Sequence, residues 1–233
     1  MINKEKKPNK VYDSIKEAIL YMKIKPGESI GEIDVANYFG VSRTPVRDAF
    51  KKLEADGLVE IKSHIGTFVS LIDLEHIVDT IFMREHIEKA IIRSLAENSQ
   101  PAHYLKLSYV LDLQKQLLDS GLSGQEMAAK FMELDNEFHR LMFELAGREN
   151  VWHRLQAQRH HYDRFRIFLN NDDREKLTRI YHQHSEIVKH IRERQPQLAM
   201  KIYEEHVYYN VMNSTQTIME NKKFFKGFSD TEY

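Results

Sequence analysis

A carboxylate and an imidazole stand four residues apart in the segment LDNEFHRLMFELAG. On a helix, this spacing places Asp135 and His139 on the same face, one turn apart. A carboxylate oxygen and an imidazole nitrogen in that position can bind one transition-metal ion. The same pair can also form a hydrogen-bonded or ion-paired contact without metal, so the spacing alone leaves both interpretations open.

Two more histidines are expected to meet across a helical corner. His184 and His206 lie about 11 residues before and after Gln195-Pro196, where one helix should end and another begin. Antiparallel helices rise by the same distance per residue, so both imidazoles are expected at one level. Three helices would then bring Asp135, His139, His184 and His206 to one point inside a bundle.

The chain contains 12 histidines, and most of them are expected to be surface or packing residues. Two of them, His182 and His190, lie on the same predicted helix as His184 and are alternative candidates for its ligand position. Neither shares the face of His184 well. Six others have no obvious ligand partner in the sequence: His76, His86, His103, His153, His160 and His161.

Basic residues mark a second candidate site in the segment VSRTPVRDAFKKLEADGLVEI. Arg43, Arg47 and Lys51 recur every four residues, on a different helix face from the apolar stripe. Arginine can bind guanine through two hydrogen bonds, and a helix N-terminus favours phosphate. Three basic residues are also compatible with an ordinary solvated face, so the neighbouring elements must decide between these interpretations.

The elements around these basic residues form the pattern of a winged helix-turn-helix. A helix over residues 11–23 precedes a short helix over 32–39, which Gly40 closes. Ser42 is a suitable N-cap for the basic helix, which is expected to extend to about Ala55. Two strands, 58–61 and 67–70, then flank the turn KSHIG and form a β-wing that presents His64 and Thr67.

The rest of the chain is predicted to be helical, because its apolar periodicity is long and breakers are scarce. The tail after Lys222 is expected to be loosely ordered. The fold class is thus mainly α: a winged helix-turn-helix over residues 1–72 and an all-helical bundle over residues 73–233. The predicted helices of the second domain are 73–98, 102–120, 125–146, 149–170, 172–194 and 196–220.

Composition excludes several classes of protein. The chain has no cysteine, which excludes disulfides, thiolate metal sites and a cysteine nucleophile. It shows neither a signal peptide nor an apolar run long enough to span a membrane, so a cytoplasmic protein is expected. Net charge is −1 overall and +2 over residues 1–72, so nucleic-acid binding must rest on local placement of charge.

The segment GVSRTPVRDAFKKLEADGLV, within PGESIGEIDVANYFGVSRTPVRDAFKKLEADGLVEIKSHIGTFV, closely resembles the winged helix-turn-helix of the GntR family of bacterial regulators. The resemblance covers roughly residues 10–70. It implies that Arg43, Thr44 and Arg47 read an operator and that residues 64–67 form the wing tip. The wing reads SHIGTF where many relatives carry another glycine or arginine, which leaves the wing contact open. The full set of predicted DNA contacts is Ser42, Arg43, Thr44, Arg47, Lys51, His64 and Thr67.

The second domain resembles the FCD ligand-binding domain of the FadR subfamily in FMREHIEKAI, DNEFHRLMFELAGREN and HSEIVKHIRERQPQLAMKIYEEH. In metal-binding members of that group the ligands are one Asp, a His four residues on and two further His. These carry over to Asp135, His139, His184 and His206, a set that suits Zn, Ni, Fe or Mn.

The resemblance also implies a small organic acid as effector. Arg84 is placed where similar proteins carry a cation that can bind a carboxylate through two hydrogen bonds. A surface ion pair with Glu88, four residues on, is an equally good interpretation of Arg84. Tyr203 and Asn210 flank His206 by three and four residues and are expected to line the same pocket.

The sequence therefore predicts a regulator, expected to be a repressor, that binds a palindromic DNA operator as a homodimer and responds to a carboxylate effector. One alternative is a metal-dependent helical-bundle enzyme, but no Glu-x-x-His cluster and no evident general base accompany the ligands. Another alternative is a regulator that senses the metal itself, or holds it for structure alone.

Overall fold

The computed structural model describes residues 7–98, 100–156, 159–170 and 173–228. These residues form two compact units. One contains the described residues up to Leu74 together with those from Ile218 onward, and the other spans Glu75–Thr217. None of the helices in the described ranges is long and apolar enough to cross a membrane.

The first unit is a winged helix-turn-helix, as predicted. Its elements are α1 (Lys7–Leu20), β1 (Ser29–Ile30), α2 (Glu32–Phe39), α3 (Arg43–Ala55), β2 (Val59–Lys62) and β3 (Gly66–Val69). Gly40 closes α2 in the left-handed conformation, with φ of 60°, as the glycine at this position predicts. Ser42 occupies the N-cap position of α3, but its side chain does not make the expected capping hydrogen bond.

The three strands form one antiparallel sheet in the order β1-β3-β2. Thr67 on the central strand β3 lies opposite Ile30 of β1 and Ile61 of β2. Strand β1 was not predicted, because two residues are too short to show alternation. Apolar faces of α1, α3 and the sheet meet in one buried core that includes Val11, Ile15, Ile19, Val46, Phe50, Leu53, Leu58 and Val69.

The described residues from Ile218 onward also belong to the first unit, whereas the sequence placed all of 73–233 in the second domain. Phe225 is fully buried and bridges Ile72, which donates its N–H to the Phe224 carbonyl and accepts from the Lys226 N–H. The expectation of a loosely ordered tail is therefore wrong for the described residues 222–228, because this backbone pairing and the burial of Phe225 hold them.

The second unit consists of helices, as predicted. They are α4 (Leu74–Asn98), α5 (Pro101–Leu118), α6 (Gly124–Leu145), α7 (Glu149–Gln156), α8 (His160–Asn170), α9 (Arg174–Arg192) and α10 (Pro196–Met212). The boundary between the two units falls within α11 (Thr215–Glu220). Helix α9 packs against α10 and α5, and α5 packs against α6. Pro101 and Pro196 stand in the first turns of α5 and α10, where a missing N–H costs no intrahelical hydrogen bond.

Two of the predicted helices are divided in the structure. The predicted helix 149–170 forms α7 and α8, and the predicted helix 196–220 forms α10 and α11. At the second break, Asn213 ends α10 and the Ser214 hydroxyl donates to the Val211 carbonyl, a local bond that competes with helix continuation. Neither break is marked by glycine or proline, so apolar periodicity alone did not reveal them.

Candidate functional site

Three helices of the second unit bring four potential metal ligands together. Asp135 and His139 lie one turn apart on α6, His184 lies on α9 and His206 on α10. All four side chains are buried, and one ligand atom from each lies within 4.8 Å of the others. In the hairpin of α9 and α10, the ring centroids of His184 and His206 lie 4.7 Å apart. The two residues therefore lie at the same level of the hairpin, as their spacing around Gln195-Pro196 predicts.

The Asp135 carboxylate lies between a cation and two imidazoles. Its Oδ2 accepts from the Arg166 guanidinium, while its Oδ1 lies 3.6 Å from Nε2 of His184. Nε2 of His139 lies 3.7 Å from Oδ2. Burial raises the Asp135 pKa, but the Arg166 charge and the nearby imidazoles outweigh it, so the pKa is well below its ordinary value. The group is therefore an ionised carboxylate at neutral pH.

Each histidine of the cluster has an oxygen beside its Nδ1. Nδ1 of His184 lies 3.1 Å from Oε1 of Gln114, and Nδ1 of His206 lies 3.2 Å from Oε1 of Gln183. Nδ1 of His139 lies 2.6 Å from Oε2 of Glu88. For His184 and His206 this hydrogen bond favours the tautomer with its proton on Nδ1, which leaves a lone pair on Nε2.

Several buried polar atoms of the cluster lack a hydrogen-bond partner within the part of the chain that the structure describes. They are Oδ1 of Asp135, Nε2 of His184 and both ring nitrogens of His139, whose Nδ1 lies close to Oε2 of Glu88 but outside hydrogen-bond geometry. Buried polar atoms rarely remain unsatisfied, because desolvation without a partner costs about 1–3 kcal/mol each. One carboxylate oxygen and imidazole nitrogens are also the donors that a divalent transition metal prefers, so the residues fit such an ion.

Burial keeps two of the imidazoles neutral. It lowers the His184 pKa to about 3, although Asp135 raises it, and it lowers the His206 pKa well below its ordinary value. Only a neutral imidazole offers a nitrogen lone pair to a metal. Both side chains are therefore in the protonation state of a ligand at neutral pH.

Arg84 and Tyr203 lie next to this cluster. Arg84 is buried on α4 and donates to Oε1 of Glu88 and to the Tyr162 hydroxyl, each at 2.7 Å. The ion pair with Glu88 that the sequence suggested does form, but it is buried rather than on the surface. The fully buried Tyr203 ring lies 6.2 Å from His139 and 5.9 Å from His206, between centroids. The Asn210 side chain falls outside the described residues.

Four side chains that touch the cluster were not predicted to do so: Glu88, Gln114, Arg166 and Gln183. Gln114 and Arg166 lie on helices other than that of their partner, and no short spacing connects them to it. Glu88 was considered only as a partner of Arg84, although it also approaches His139. Gln183 directly precedes His184 but contacts His206 across the hairpin, which adjacency in sequence does not indicate.

The first unit carries the second candidate site, on α3. Val46, Ala49, Phe50 and Leu53 form its buried stripe. Ser42, Arg43, Thr44, Arg47 and Lys51 are all exposed. The helix therefore presents its basic residues to solvent from its first turn onward, as direct contact with a DNA groove requires.

Glu32, the first residue of α2, contacts both arginines of the recognition helix. Its carboxylate accepts from Nε of Arg43 at 2.6 Å and from Nε of Arg47 at 3.0 Å. The hydrogen bond from Arg43 is the main cause of a lowered Glu32 pKa, with a further contribution from Arg47. The sequence interpretation missed this residue, because the glutamate lies 11 and 15 residues before its partners.

The wing differs from the prediction in one residue. His64 is exposed at the tip with φ of 61°, a left-handed conformation that histidine adopts more readily than most residues. Thr67, in contrast, is only 8% exposed on the central strand. It therefore has little surface to offer DNA, whereas Lys62, Ser63 and His64 remain accessible.

Two sequence families match the chain, one over each candidate site. Residues 79–208, more than half of the chain, match the family described as "FCD domain". Residues 7–69 match the family described as "Bacterial regulatory proteins, gntR family".

Curated relatives are regulators as well. An "Uncharacterized HTH-type transcriptional regulator in unstable DNA locus" from Streptomyces ambofaciens is 33% identical over 156 residues, 67% of this chain and 63% of that protein. The "HTH-type transcriptional repressor RspR" of Escherichia coli K12 is 27% identical over 221 residues, 92% of each chain.

Solved structures share the fold. "E. coli McbR/YncC" has a TM-score of 0.69 at 15% identity and covers 90% of this chain and 97% of its own. A "putative transcriptional regulator GntR from Rhodococcus sp. RHA1" has a TM-score of 0.66 at 19% identity and covers 88% and 96%. At such low identities the likeness establishes the arrangement of helices and wing and nothing about ligands.

Proposed function

This chain belongs to the GntR family of bacterial regulatory proteins and carries an FCD domain, and from that premise we propose a metal-containing repressor released by a small carboxylate. Its general function is that of a transcriptional regulator with a DNA-binding helix-turn-helix, and not that of an enzyme. The proposal adds the metal, the effector, the homodimer, the placement in the FadR subfamily and the sign of regulation.

The buried cluster of Asp135, His139, His184 and His206 is the observation that carries the proposal. Without a metal, Oδ1 of Asp135 and Nε2 of His139 and of His184 would be buried with no hydrogen-bond partner among the described residues, which is costly. The oxygens of Glu88, Gln114 and Gln183 support it further, because metal-ligating histidines almost always donate their other nitrogen to such a partner. The set suits Zn, Ni, Fe or Mn.

A small carboxylate is the effector that this environment favours. A metal bound by four protein ligands would supply open coordination positions to an anionic oxygen. Arg84 is one of two buried cations beside the cluster, the other being Arg166, and its guanidinium already binds one carboxylate, that of Glu88. Tyr203 borders the same space with a hydroxyl group whose pKa burial raises, so it is a neutral donor for a bound acid.

At the other unit, Arg43, Thr44 and Arg47 are proposed to read base edges, and Ser42, Lys51 and His64 to contact the phosphate backbone. Two copies of the chain would place their recognition helices about one turn of DNA apart on a palindromic operator. Effector binding would lower the affinity for the operator. The factor would equal the ratio of the effector's affinities for the released state and for the DNA-bound state.

The metal is tested by mass spectrometric metal analysis of purified wild type beside His184→Ala. We expect about one transition-metal ion per chain in wild type and its loss in the variant. His153→Ala is the matched control, because His153 is exposed on α7 and should retain the metal. Wild type that contains no metal, even after incubation with Zn, Ni and Mn salts, would remove the site.

The DNA contact is tested with Arg47→Ala on the sequence that wild type selects from a random DNA library. Loss of one bidentate base contact should weaken binding about 5- to 150-fold, since such a contact contributes about 1–3 kcal/mol. Lys10→Ala, an exposed basic residue of α1, should bind like wild type apart from a small change in salt dependence. Unchanged selective binding by Arg47→Ala would mean that another element reads the operator.

In an alternative, the metal itself is the signal. Comparing the affinities of metal-free and metal-loaded protein for carboxylates distinguishes this alternative from a carboxylate effector that binds the metal. Direct coordination requires that the metal-loaded form binds carboxylates, such as acetate or citrate, more tightly. Equal affinities would assign the metal to structure or to sensing instead.

A further inference from the structure

Glu32 is the shared partner of the two arginines that lead the recognition helix. Its carboxylate lies 2.6 Å from Nε of Arg43 and 3.0 Å from Nε of Arg47. The side chain is 22% exposed, whereas the arginines are 55% and 59% exposed. The carboxylate is thus held under the exposed face of α3, with both guanidinium groups above it in solvent.

The atoms used in these contacts determine which atoms remain for DNA. An arginine carries five N–H donors, one on Nε and four on the terminal nitrogens. Glu32 accepts from Nε of each arginine, so it leaves their terminal nitrogens available, and these have no hydrogen bond to any other described residue. That end of the fork matches guanine O6 and N7, the commonest specific contact of arginine in the major groove.

We propose that Glu32 determines the specificity of operator recognition by holding Arg43 and Arg47 in the orientation that reads bases and by keeping them from phosphates. This inference rests on the proposed base contacts of the two arginines. Holding both side chains in advance reduces the rotamer entropy that is lost when a base is bound. The carboxylate also neutralises one of the positive charges of α3 and repels phosphate, so it disfavours the sequence-independent part of binding.

The two effects act in opposite directions when Glu32 is removed. Free arginines gain phosphate contacts on any DNA, so binding to unrelated DNA should become tighter and more dependent on salt. The same arginines lose their alignment toward bases. The affinity for the preferred sequence should therefore increase less than the affinity for unrelated DNA, or decrease. The ratio of specific to nonspecific affinity is therefore the quantity that reports this role.

Asp34 provides a matched control. It lies on the same first turn of α2 as Glu32 and is exposed. Among the described residues, Arg43 and Arg47 form their ion pairs with Glu32 and not with Asp34. Asp34→Asn thus removes one negative charge from the same turn and leaves the bridge intact. A pure charge effect would strengthen binding to all DNA alike and leave the affinity ratio unchanged.

The experiment measures fluorescence anisotropy of full-length wild type, Glu32→Gln, Glu32→Ala and Asp34→Asn with two labelled duplexes across a salt series. One duplex is the sequence selected by wild type from a random library, and the other is a scrambled sequence of equal composition. We expect the affinity ratio to fall about 10-fold in Glu32→Ala and less in Glu32→Gln, which keeps one amide oxygen as acceptor. Scrambled DNA should be bound a few-fold more tightly, with a salt slope steeper by about 1.

Library selection with Glu32→Gln provides a second readout, because this variant changes no side-chain volume and should fold like wild type. Weaker base preference at the positions read by wild type would support the proposal. A ratio and base preference equal to those of wild type, or a fall of equal size in Asp34→Asn, would overturn it. Wild type that binds both duplexes alike would instead refute the proposed base reading, and this inference with it.

Discussion

At the scale of single residues, the candidate metal ligands are held through the atoms that a metal would not use. Arg166 binds Oδ2 of Asp135, and carbonyl or carboxylate oxygens lie beside Nδ1 of each histidine. Such partners fix the tautomer and the ring orientation, and their loss typically weakens metal binding 10- to 100-fold. The geometry thus predicts that residues outside the ligand set control metal affinity.

Gln114→Ala tests this prediction. Removing the oxygen beside Nδ1 of His184 should weaken metal binding by about 10-fold or more, because the neutral tautomer with a free Nε2 loses its support. Competition with a chromogenic chelator measures the affinity. Gln114→Glu keeps an oxygen there and should bind metal well, and Gln197→Ala, an exposed glutamine on α10, should match wild type. Equal affinities for Gln114→Ala and wild type would contradict the role of the oxygen.

Spacing predicted some residues of these sites and not others. Two relations follow from helix geometry and could be read directly. They are the single turn between Asp135 and His139 and the equal distances of His184 and His206 from Gln195. Gln114 lies 70 residues from His184, and Arg166 lies 31 from Asp135. Contacts of that kind depend on how helices pack side by side, which a single sequence does not express.

At the scale of elements, helix α3 is fixed at its C-terminal end as well as at its arginines. Asp56, its C-cap, accepts from the Tyr12 hydroxyl and the Lys16 ammonium of α1. Burial raises the Asp56 pKa, but the Tyr12 hydrogen bond and the Lys16 charge outweigh it, so the pKa is below its ordinary value of 3.8. A lowered pKa means that the ionised form stabilises the fold at neutral pH.

Asp56→Asn should therefore destabilise the protein in a pH-dependent manner. We expect a loss of about 1 kcal/mol at pH 7, a modest value because the site is partly exposed to solvent. The difference from wild type should shrink as pH falls through the lowered pKa, since both proteins then lack the charge. Urea unfolding followed by circular dichroism at pH 7 and pH 3 gives the comparison. Asp13→Asn on the exposed side of α1 should show no such change, and a constant difference at both pH values would refute the explanation.

The helix boundaries show where apolar periodicity stops being informative. Pro101 and Pro196 predicted the starts of α5 and α10, because proline is tolerated in a first turn and not in a helix interior. The ends of α7 and α10 carry no glycine or proline. At the end of α10 the structure instead has the local hydrogen bond of Ser214, and the strength of such a bond depends on the surrounding fold.

At the scale of the whole molecule, the two units should respond differently to metal. The only tryptophan in the chain, Trp152, is buried on α7 in the unit that holds the candidate ligands. Its fluorescence therefore reports the unfolding of that unit. A ligand present at about 100 times its dissociation constant stabilises the folded state by about 2.7 kcal/mol.

Adding Zn or Ni to metal-free wild type should thus shift the urea unfolding transition seen by Trp152 to higher urea. The stabilisation should be about 2.7 kcal/mol when the free metal is at about 100 times its dissociation constant. His184→Ala should show no shift, and Arg47→Ala should shift like wild type because it changes only the other unit. A similar shift in His184→Ala would indicate that metal binds elsewhere on the chain.

The pairing of Ile72 with Phe225 joins residues that are synthesised far apart in time. Phe225 is fully buried and belongs to the same unit as the described residues before Glu75, yet the whole of Glu75–Thr217 is translated between them. At about 5–20 residues per second, a bacterial ribosome needs roughly 7–30 s for that interval. During those seconds the backbone of Ile72 lacks its hydrogen-bond partners at Phe224 and Lys226, so this part of the DNA-binding unit is completed only near the end of translation.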